Sequence, residues 1–447
     1  MSSNWFGQTV FRRLLLLDHP VARRSEHELI AEAEKNYPWN FTVNLLDGAS
    51  FWFGNNFVSA ATILPLFVSK LTDSPLLIGL IAVIAQAGWL IPQVFTAGFT
   101  EKLSRKKPLV INVGFFMERL PVWFWPVSAL IAPYSPKLAL AVFFVSYAWH
   151  GLGAGAVAPA WQDMVARCFP VHKRGRFFGT TTFVGTGVGA IGASYAGRIL
   201  ETYPYSFNFF YIFLIGAIAI NVSWAFLALT REPEQGVLPP PHNAPKLWSK
   251  LKRVVGKDHN FKRFLQARTV QALGTMGLGF VTVAAIQRLN VPDGTVALYT
   301  VALLAGQTAS NLLTGWLADR IGHKLLIEAA GLAAAAAFIL AWLNPAAVWY
   351  FVIFALLGAS LGATIVSGTL ISMEFSAPEQ RPTYMGIANT TVGLSGALAP
   401  LLGAGLARIT NYDWMFFTSA VLSLLAVIAL HWLVHDPRWK QVNILND

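Results

Sequence analysis

The sequence has few charged residues and one cysteine. Only 12% of its 447 residues are Asp, Glu, Lys or Arg, whereas 55% are hydrophobic. This balance excludes an ordinary soluble protein, and the apolar runs are long enough to cross a membrane. Cys168 is the sole cysteine, which excludes an intrachain disulfide and a cysteine-based metal cluster. We therefore expect a polytopic membrane protein with neither metal nor cofactor.

Motifs of nucleotide-driven pumps are also missing. The chain has no G-x-x-x-x-G-K-S/T loop, so pumping driven by a bound nucleotide is not predicted. An intramembrane lipid-modifying enzyme would need a constellation such as paired acids, G-x-S-x-G or H-E-x-x-H. We predict that the chain is not an enzyme, and such an enzyme is the least favoured alternative.

Two short charged turns repeat within the chain. Residues 315–324 read GWLADRIGHK and residues 97–107 read AGFTEKLSRKK, so that Glu101 aligns with Asp319 at an offset of 218. A single basic turn on the cytoplasmic side of a membrane is ordinary. Two turns with the same spacing instead indicate a duplicated chain, although two unrelated basic turns are the alternative.

A second repeat supports the duplication. Residues 174–179, RGRFFG, match residues 381–386, RPTYMG, at an offset of 207, and each leads into a glycine-rich segment. Glycines allow helices to pack closely in lipid, and we expect most of these glycines only to pack. They are Gly185, Gly187, Gly189, Gly192, Gly393, Gly396, Gly403 and Gly405.

The turn at residues 315–324 closely resembles the loop signature G-x-L-x-D-R-x-G-R-K of the major facilitator superfamily. GLGAGAVAPAW at residues 151–161 also resembles this family, and the resemblance covers about residues 40–435. It implies a secondary transporter whose two pseudo-symmetric six-helix bundles rock about a site near the bilayer midplane. Tyr147 stands where many proton-driven members carry an arginine, and the fifth segment lacks the Gly-Pro pair of antiporters. Both departures argue against drug/proton antiport.

Twelve apolar segments each approach the roughly 20 residues that a helix needs to cross a membrane. The predicted fold class is therefore an all-α polytopic membrane protein with twelve transmembrane helices. We label the segments α1 to α12 in chain order: 44–68, 75–97, 108–132, 137–165, 176–199, 206–229, 265–288, 295–317, 325–344, 347–373, 383–408 and 413–434.

Polar stretches divide the chain into five parts. In the tail, Ser25 and Glu28 form a capping-box pattern that predicts a short polar helix through Lys35. The predicted parts are a cytoplasmic N-terminal tail with surface helices (1–40), an N-terminal six-helix bundle (41–230), a cytoplasmic linker (231–261), a C-terminal six-helix bundle (262–435) and a cytoplasmic tail (436–447).

The distribution of basic residues predicts the orientation. With the N-terminus inside, 26 of the 33 Lys and Arg fall in inner loops and tails and five in outer loops. Basic residues collect on the cytoplasmic side, so both termini are predicted to be cytoplasmic, in a bacterial inner membrane. The same distribution accounts for the net charge of +11 without a nucleic-acid partner.

The family resemblance implies that α1, α4, α7 and α10 line the cavity, assisted by α2, α5, α8 and α11. His150 lies 13 residues into α4, about 20 Å from its outer end and near mid-membrane. It has either a substrate or proton role, or a hydrogen-bonded place within the bundle. The predicted polar cavity contacts are Asn55, Asn56, Tyr147, His150, Gln271, Gln307 and Asn311.

Four ionisable residues fall within or near the segments, namely Asp47, Glu118, Arg119 and Arg268. Such groups are costly in a membrane, so each is a functional hypothesis. Because α3 is peripheral in this family, Glu118 and Arg119 are predicted to anchor that helix as paired charges. Asp47 and Arg268 are interpreted as gate or interfacial residues near the inner side.

The two repeats also predict crossed inner gates. A carboxylate at the C-terminal end of a helix meets the negative end of the helix dipole and needs a positive partner. We expect Glu101 to face the start of α11 and Asp319 the start of α5. The predicted gate residues are Glu101, Lys102, Arg105, Arg174, Asp319, Arg320 and Arg381.

Together these features predict a secondary transporter for a small organic solute, with proton coupling left open. The expected partners are the solute and the lipid bilayer, and the expected state is a monomer. A flippase or exporter of amphiphiles or lipids on the same fold is the alternative, because apolar helices with few buried charges would permit it.

Overall fold

The structure is a computed structural model that describes residues 12–17, 21–22, 24–101, 103–235, 254–343, 346–375 and 381–437. Within these ranges every regular element is helical, and each predicted segment is covered, which confirms the fold class. The bounds are α1a Glu26–Phe57, α1b Ile63–Ser69, α2 Pro75–Glu101, α3 109–131, α4 Pro136–Cys168, α5 Val171–Thr202, α6 Phe207–Ala228, α7a His259–Gly274, α7b Leu278–Leu289, α8 Asp293–Ile321, α9 His323–Trp342, α10 Trp349–Glu374, α11 Arg381–Ile409 and α12 Tyr412–Leu433.

Nine helices among the described residues are long and apolar enough to cross a membrane. Segments α1, α3 and α5 do not meet this criterion of length and hydropathy, and the reasons are local. The α1 segment is divided into two helices, and α5 begins with basic residues and is rich in glycine and threonine. The α3 segment joins two π-helical stretches, Leu109–Val113 and Phe115–Arg119, to a 3-10 turn and a short α-helix.

Helix α1a shows both a confirmed and a wrong prediction. The capping box is present, because the Ser25 amide donates to Glu28 Oε2 at 2.8 Å and the Glu28 amide donates to Ser25 Oγ at 3.3 Å. The helix does not end at Lys35 but continues through Pro38 to Phe57. Side chains beyond Lys35 hold it to the end of α6, a contact that local sequence does not reveal. Much of the other predicted tail helix lies outside the described residues.

The chain divides into two compact units. Unit 1 comprises residues 1–58 and 87–241, and unit 2 comprises residues 59–86 and 242–447. The division falls at the break between α1a and α1b, and again within α2, which is one continuous helix. Residues 236–253 of the predicted linker lie outside the described part of the chain, and the predicted domain boundaries stay predictions.

Glycines bring the helices of unit 1 into backbone contact. A β-carbon on Gly153 of α4 would lie 1.9 Å from the carbonyl oxygen of Met117, and one on Gly155 would lie 2.1 Å from that of Gly88. In α5, Gly189 instead faces a side chain, since a β-carbon there would lie 2.4 Å from Asn56 Nδ2 of α1a. Small residues allow such approach in lipid. By contrast, a β-carbon on Gly187 would meet nothing within 4 Å.

In unit 2, α1b and residues 75–86 of α2 pack on α7b, α8 and α11. Thr282 Oγ1 donates to the carbonyl oxygen of Ala61 at 2.9 Å, and the hydroxyls of Thr62 and Thr300 share a hydrogen bond. Lys70 Nζ lies 2.9 Å from Asp293 Oδ1. Segments from the start of the chain are therefore integral parts of unit 2.

The repeated turn at residues 315–324 has a backbone reason for its glycine. Helix α8 ends at Ile321 and α9 begins at His323, which leaves Gly322 alone between them. Gly322 has φ 93°, a conformation that side-chain-bearing residues rarely adopt. A single glycine thus reverses the chain at this end of unit 2.

We expect Gly153→Ala to lower stability, because its methyl group would collide with a backbone carbonyl. Overpacking of this kind costs about 1 to 3 kcal/mol. Gly187→Ala is the matched control on α5. With open space around it, this change should leave the thermal unfolding temperature of the purified protein equal or slightly higher, since alanine favours helix over glycine by about 1 kcal/mol. Equal unfolding temperatures for the two variants would contradict the packing described here.

Candidate functional site

Five buried polar residues of unit 1 lie on four helices and form a group that we call the α3 cluster. Its members come from α1a, α3, α4 and α6, and four of them carry charge or can carry it. They are Asp47, Glu118, Arg119, His150 and Ser223.

Asp47 is the member with the fewest partners. Its side chain is 7% exposed, and Ser223 Oγ donates a hydrogen bond to Oδ1 at 2.6 Å. Among the described residues no cation lies within ion-pair distance of it. A buried carboxylate that has one hydroxyl donor and no counter-ion is costly, and in membranes such groups serve proton or ion transfer.

Glu118 and Arg119 pair with each other. Arg119 Nη1 lies 3.6 Å from Glu118 Oε1, and both side chains are buried. The guanidinium also lies over the ring of Phe51 in α1a, at 5.2 Å from its centre. Asn221 of α6 donates to the Arg119 carbonyl at 3.5 Å. These contacts support the interpretation of the pair as an anchor between α3 and its neighbours.

His150 and Tyr147 lie in the interior of unit 1. The Nδ1–H group of His150 donates to the carbonyl oxygen of Glu118 at 2.8 Å, since a carbonyl can only accept. Trp125 meets the histidine ring edge-on at 5.2 Å, and Tyr147 stacks on Phe143 at 5.5 Å. His150 thus joins α4 to the irregular part of α3. Its predicted role in the cavity stays a prediction.

The two asparagines predicted on α1 lie deeper in the helix. Asn55 and Asn56 are half-buried, and the Asn56 amide donates to the carbonyl oxygen of Trp52 at 2.8 Å. Asn56 also fills the space over Gly189. One of the two is therefore held against α5.

In unit 2, Arg268 of α7a is 5% exposed. Its Nη1 donates to Gln271 Oε1, one helical turn along, and Gln271 Nε2 donates to the Ile327 carbonyl of α9 at 3.2 Å. A β-carbon on Gly368 of α10 would lie 2.9 Å from Arg268 Nη2. The guanidinium therefore lies between α7a and α10, and no carboxylate among the described side chains pairs with it.

Gln307 and Asn311 of α8 face α10 across closely packed glycines. A β-carbon on Gly362 would lie 2.6 Å from the Gln307 carbonyl oxygen and 2.9 Å from Asn311 Oδ1. Asn311 Oδ1 is buried without a hydrogen-bond partner among the described residues. Within the described part of the chain, the side-chain oxygen of Asn311 is therefore an unpaired acceptor in the interior of unit 2.

The sequence does contain one match to G-x-S-x-G, at residues 358–362, GASLG. The match lies inside helix α10, whereas a hydrolase nucleophile requires a strand-to-helix turn. Gly358 and Gly362 instead allow α10 to approach the backbone of α8, where a β-carbon on Gly358 would lie 1.9 Å from the Leu303 carbonyl oxygen. The motif serves packing.

The inner-gate prediction falls largely outside the described part of the chain. Lys102 is not among the described residues, nor are four of the gate side chains, those of Glu101, Arg174, Asp319 and Arg381. Arg320 is exposed at the end of α8. Arg105 pairs with Glu234 of unit 1, Nε to Oε1, at 2.8 Å. The crossed gates stay a prediction.

The predicted inner end of unit 1 holds a charged cap that the sequence did not reveal. Lys106 is fully buried, and its Nζ donates to the carbonyl oxygens of Thr100 and Leu103 at the end of α2. The Glu232 carboxylate accepts the amides of Lys106 at 2.9 Å and Lys107 at 2.8 Å, where α3 begins. Burial raises the pKa of Glu232 and lowers the pKa of Lys106. Both groups complement helix ends.

A second group that sequence reasoning missed lies at one end of unit 2. Glu328 of α9 is buried, with Oε2 3.1 Å from His431 Nδ1 and Oε1 3.6 Å from Lys324 Nζ. The Glu328–Lys324 spacing of four residues was a visible signal for an ion pair. The contact of His431 with Glu328 depends on the packing of α12 on α9, so residues near either position in the sequence do not predict it.

The long apolar helices, with their buried charges and close glycine contacts, are those of a polytopic membrane protein. The sequence profile described as Major Facilitator Superfamily matches residues 46–287 and 267–445. The chain belongs to this superfamily, which consists of membrane transporters and not of enzymes.

Relatives with curated names share modest identity. The Gentisate transporter of Corynebacterium glutamicum is 24% identical over 371 residues, which are 79% of this chain and 79% of that protein. The Probable anion transporter 4, chloroplastic, of Oryza sativa is 28% identical over 34% of this chain and 25% of its own length. The Multidrug efflux pump SdrM of Staphylococcus aureus is 29% identical, over 17% of this chain. The chain matches only 18% of that pump.

Solved structures show the same fold. A D-xylose-proton symporter has a TM-score of 0.66 at 15% identity, over 89% of this chain and 98% of its own. The nucleoside transporter NupG has a TM-score of 0.63 at 12% identity, over 88% and 98%. At such identities the likeness concerns the fold alone.

We expect Asp47→Asn to leave the purified protein at least as stable as the parent. The amide can keep the hydrogen bond with Ser223, and the cost of burying a charge without a counter-ion disappears. Arg119→Gln is the matched comparison, because it leaves Glu118 buried without its partner and should destabilise by about 3 to 5 kcal/mol. Thermal unfolding at neutral pH measures both, and the reverse order of stability would refute this description of the α3 cluster.

Proposed function

We propose that this protein is a secondary transporter that moves a small organic solute across the membrane by alternating access. Membership of the superfamily supports the general mechanism, in which two halves expose one site to each side in turn. The names of relatives support a small solute, because they include transporters of gentisate and of anions. We propose a monomer as the working unit.

The contacts of unit 2 carry this proposal most directly. Alternating access requires a barrier on one side of the membrane that can form and break. The hydrogen bonds of Thr282 with Ala61 and of Thr62 with Thr300, and the Lys70–Asp293 ion pair, join the predicted outer ends of α1 and α2 to α7 and α8. We interpret these small polar contacts as the closed outer gate. They are weak enough to open during a transport cycle.

Buried charges favour a polar solute over the amphiphile alternative. Each unit keeps arginine in its interior, and in membranes such groups serve polar cargo or proton transfer. Coupling to protons through the α3 cluster is part of the proposal, with Asp47 as the carrier. One feature favours an amphiphile, a cavity of about 270 Å³ in unit 1 with mostly apolar walls. Its lining residues are Ala49, Ser50, Phe53, Val188, Ile215, Ile218, Ala219 and Val222.

The outer gate can be tested by reversing one charge. Lys70→Glu places like charges together and should shift the protein toward the outward-open state about 1.5- to 5-fold, the range expected for a partly exposed pair. Spectroscopic distances between the outer ends of α1b and α8 measure the shift. The double variant Lys70→Asp with Asp293→Lys should restore the parent distances. Lys137→Glu, at an exposed lysine of α4, is the control, and a shift as large as that of Lys70→Glu would remove the assignment.

The proposed orientation, with both termini in the cytoplasm, can be tested with single cysteines. Tyr134 is 90% exposed in a predicted outer loop, and Lys257 is exposed in the predicted inner linker. A membrane-impermeant thiol reagent should label Tyr134→Cys in intact cells, and Lys257→Cys only after permeabilisation. The parent is a clean background because Cys168 is buried. Labelling in the opposite order would invert the topology.

A further inference from the structure

Arg268 is a buried cation in a different situation from the other buried arginine. In unit 1, Arg119 has Glu118 at 3.6 Å. Arg268 has an amide, that of Gln271, as its hydrogen-bond acceptor among the described residues. A guanidinium has five N–H donors in a planar fork that suits carboxylate and phosphate. Most of the donors of Arg268 are therefore available to another acceptor.

The surroundings hold this guanidinium in a defined position. Gln271 is itself fixed, because its Nε2 donates to the Ile327 carbonyl at 3.2 Å, so its Oε1 faces Arg268. On the other side lies Gly368, which has no side chain. A β-carbon at this position would lie only 2.9 Å from Arg268 Nη2, so the glycine leaves room for the guanidinium. Gly368 is half-buried, so the α10 surface beside Arg268 is not fully covered. The charge is thus both fixed and reachable.

The energetic cost makes a purely structural role a poor explanation. Burying a cation without a counter-ion costs several kcal/mol, and a glutamine in place of Arg268 could still bond Gln271. The residue lies about 14 Å from the start of α7a, within the membrane-spanning length of the chain. Intramembrane cations of this kind mark the route of an anionic cargo.

We propose that Arg268, positioned by Gln271, binds an oxyanion of the transported solute, either a carboxylate or a phosphate. This inference rests on the proposed function and deepens it, because it assigns the substrate to the class of small organic anions. The open side at Gly368 gives the oxyanion its approach between α7a and α10. Bidentate contact with the guanidinium fork gives the site its preference over neutral solutes.

The test measures binding, separately from transport. The full-length protein in lipid nanodiscs is heated with benzoate, phenyl phosphate or neutral benzamide, at fixed pH and ionic strength. A ligand that binds the native state raises the unfolding temperature. We expect at least one of the two anions to do so and benzamide not to. A response to only one anion tells whether the oxyanion is a carboxylate or a phosphate.

Three variants identify the site. Arg268→Gln should weaken anion binding about 10- to 100-fold, as expected for charge-assisted hydrogen bonds. Gln271→Glu supplies an internal carboxylate, so it should abolish the anion response while the ligand-free protein becomes no less stable. A variant that loses the anion response but keeps its ligand-free stability differs from a misfolded variant, which would lose both. Arg288→Gln, at an arginine that already pairs with Asp413 at 2.6 Å, is the control and should respond like the parent.

Specific outcomes would overturn the proposal. The proposal is wrong if benzamide stabilises the protein as much as benzoate does, if neither anion stabilises it, or if Arg268→Gln responds to the anions like the parent. Uptake into vesicles separates this inference from the function on which it rests. Anion binding that depends on Arg268, without uptake of any solute, would keep the site and reject transport. Uptake of neutral solutes that is unchanged in Arg268→Gln would keep transport and reject the anion site.

Discussion

A charged side chain inside a lipid-embedded helix bundle needs a partner from the protein, because hydrocarbon offers none. In unit 1 this constraint brings α1, α3, α4 and α6 together. Glu118 and Arg119 form an ion pair at 3.6 Å, and the Nδ1–H group of His150 donates to the Glu118 carbonyl oxygen. The irregular π and 3-10 turns of α3 occur at these same residues. Among the described residues, Asp47 has the Ser223 hydroxyl as its hydrogen-bond partner and no counter-ion within ion-pair distance.

The same constraint operates at the predicted inner end of unit 1, where helix termini add to the ion pairs of Lys106 with Asp163 at 3.3 Å and of Glu232 with Arg167 at 3.7 Å. Lys106 covers the last carbonyl groups of α2, and Glu232 covers the first amides of α3. Trp39 donates to the Leu229 carbonyl at 2.9 Å, and Asn40 exchanges two hydrogen bonds with Arg231. The start of the linker is therefore fixed to unit 1, and charges that look like ordinary loop residues in the sequence complete its fold.

Much of this fold follows from the sequence, because segment length, hydropathy and turn residues act locally. The twelve segments, the capping box at Ser25 and the turn at Gly322 depend on neighbouring residues and were predictable. The break after Phe57 and the cap formed by Glu232 depend on residues far apart in the chain and were not.

The candidate site, like the fold, was predictable from the sequence only in part. Composition alone identified Asp47, Glu118, Arg119 and Arg268, since ionisable residues are rare in apolar segments. The Glu118–Arg119 pair was predicted from the sequence, whereas the partners of Asp47 and Arg268 were not. Of the side chains that the structure describes, Glu118 has a cation beside it and Arg268 has an amide, and that difference appears when α3, α7a and α10 are placed in space.

The two helices that pass from one unit to the other do so differently. Helix α1 crosses at Val58–Thr62, where the backbone already departs from helical geometry. Helix α2 crosses between Gln86 and Ala87 without a break. A rotation between the units can be absorbed in α1 by a few torsion angles, as at a hinge. In α2 the hydrogen-bond ladder is unbroken, so residues 75–86 can follow such a rotation only by leaving their neighbours in unit 2 or by bending the helix.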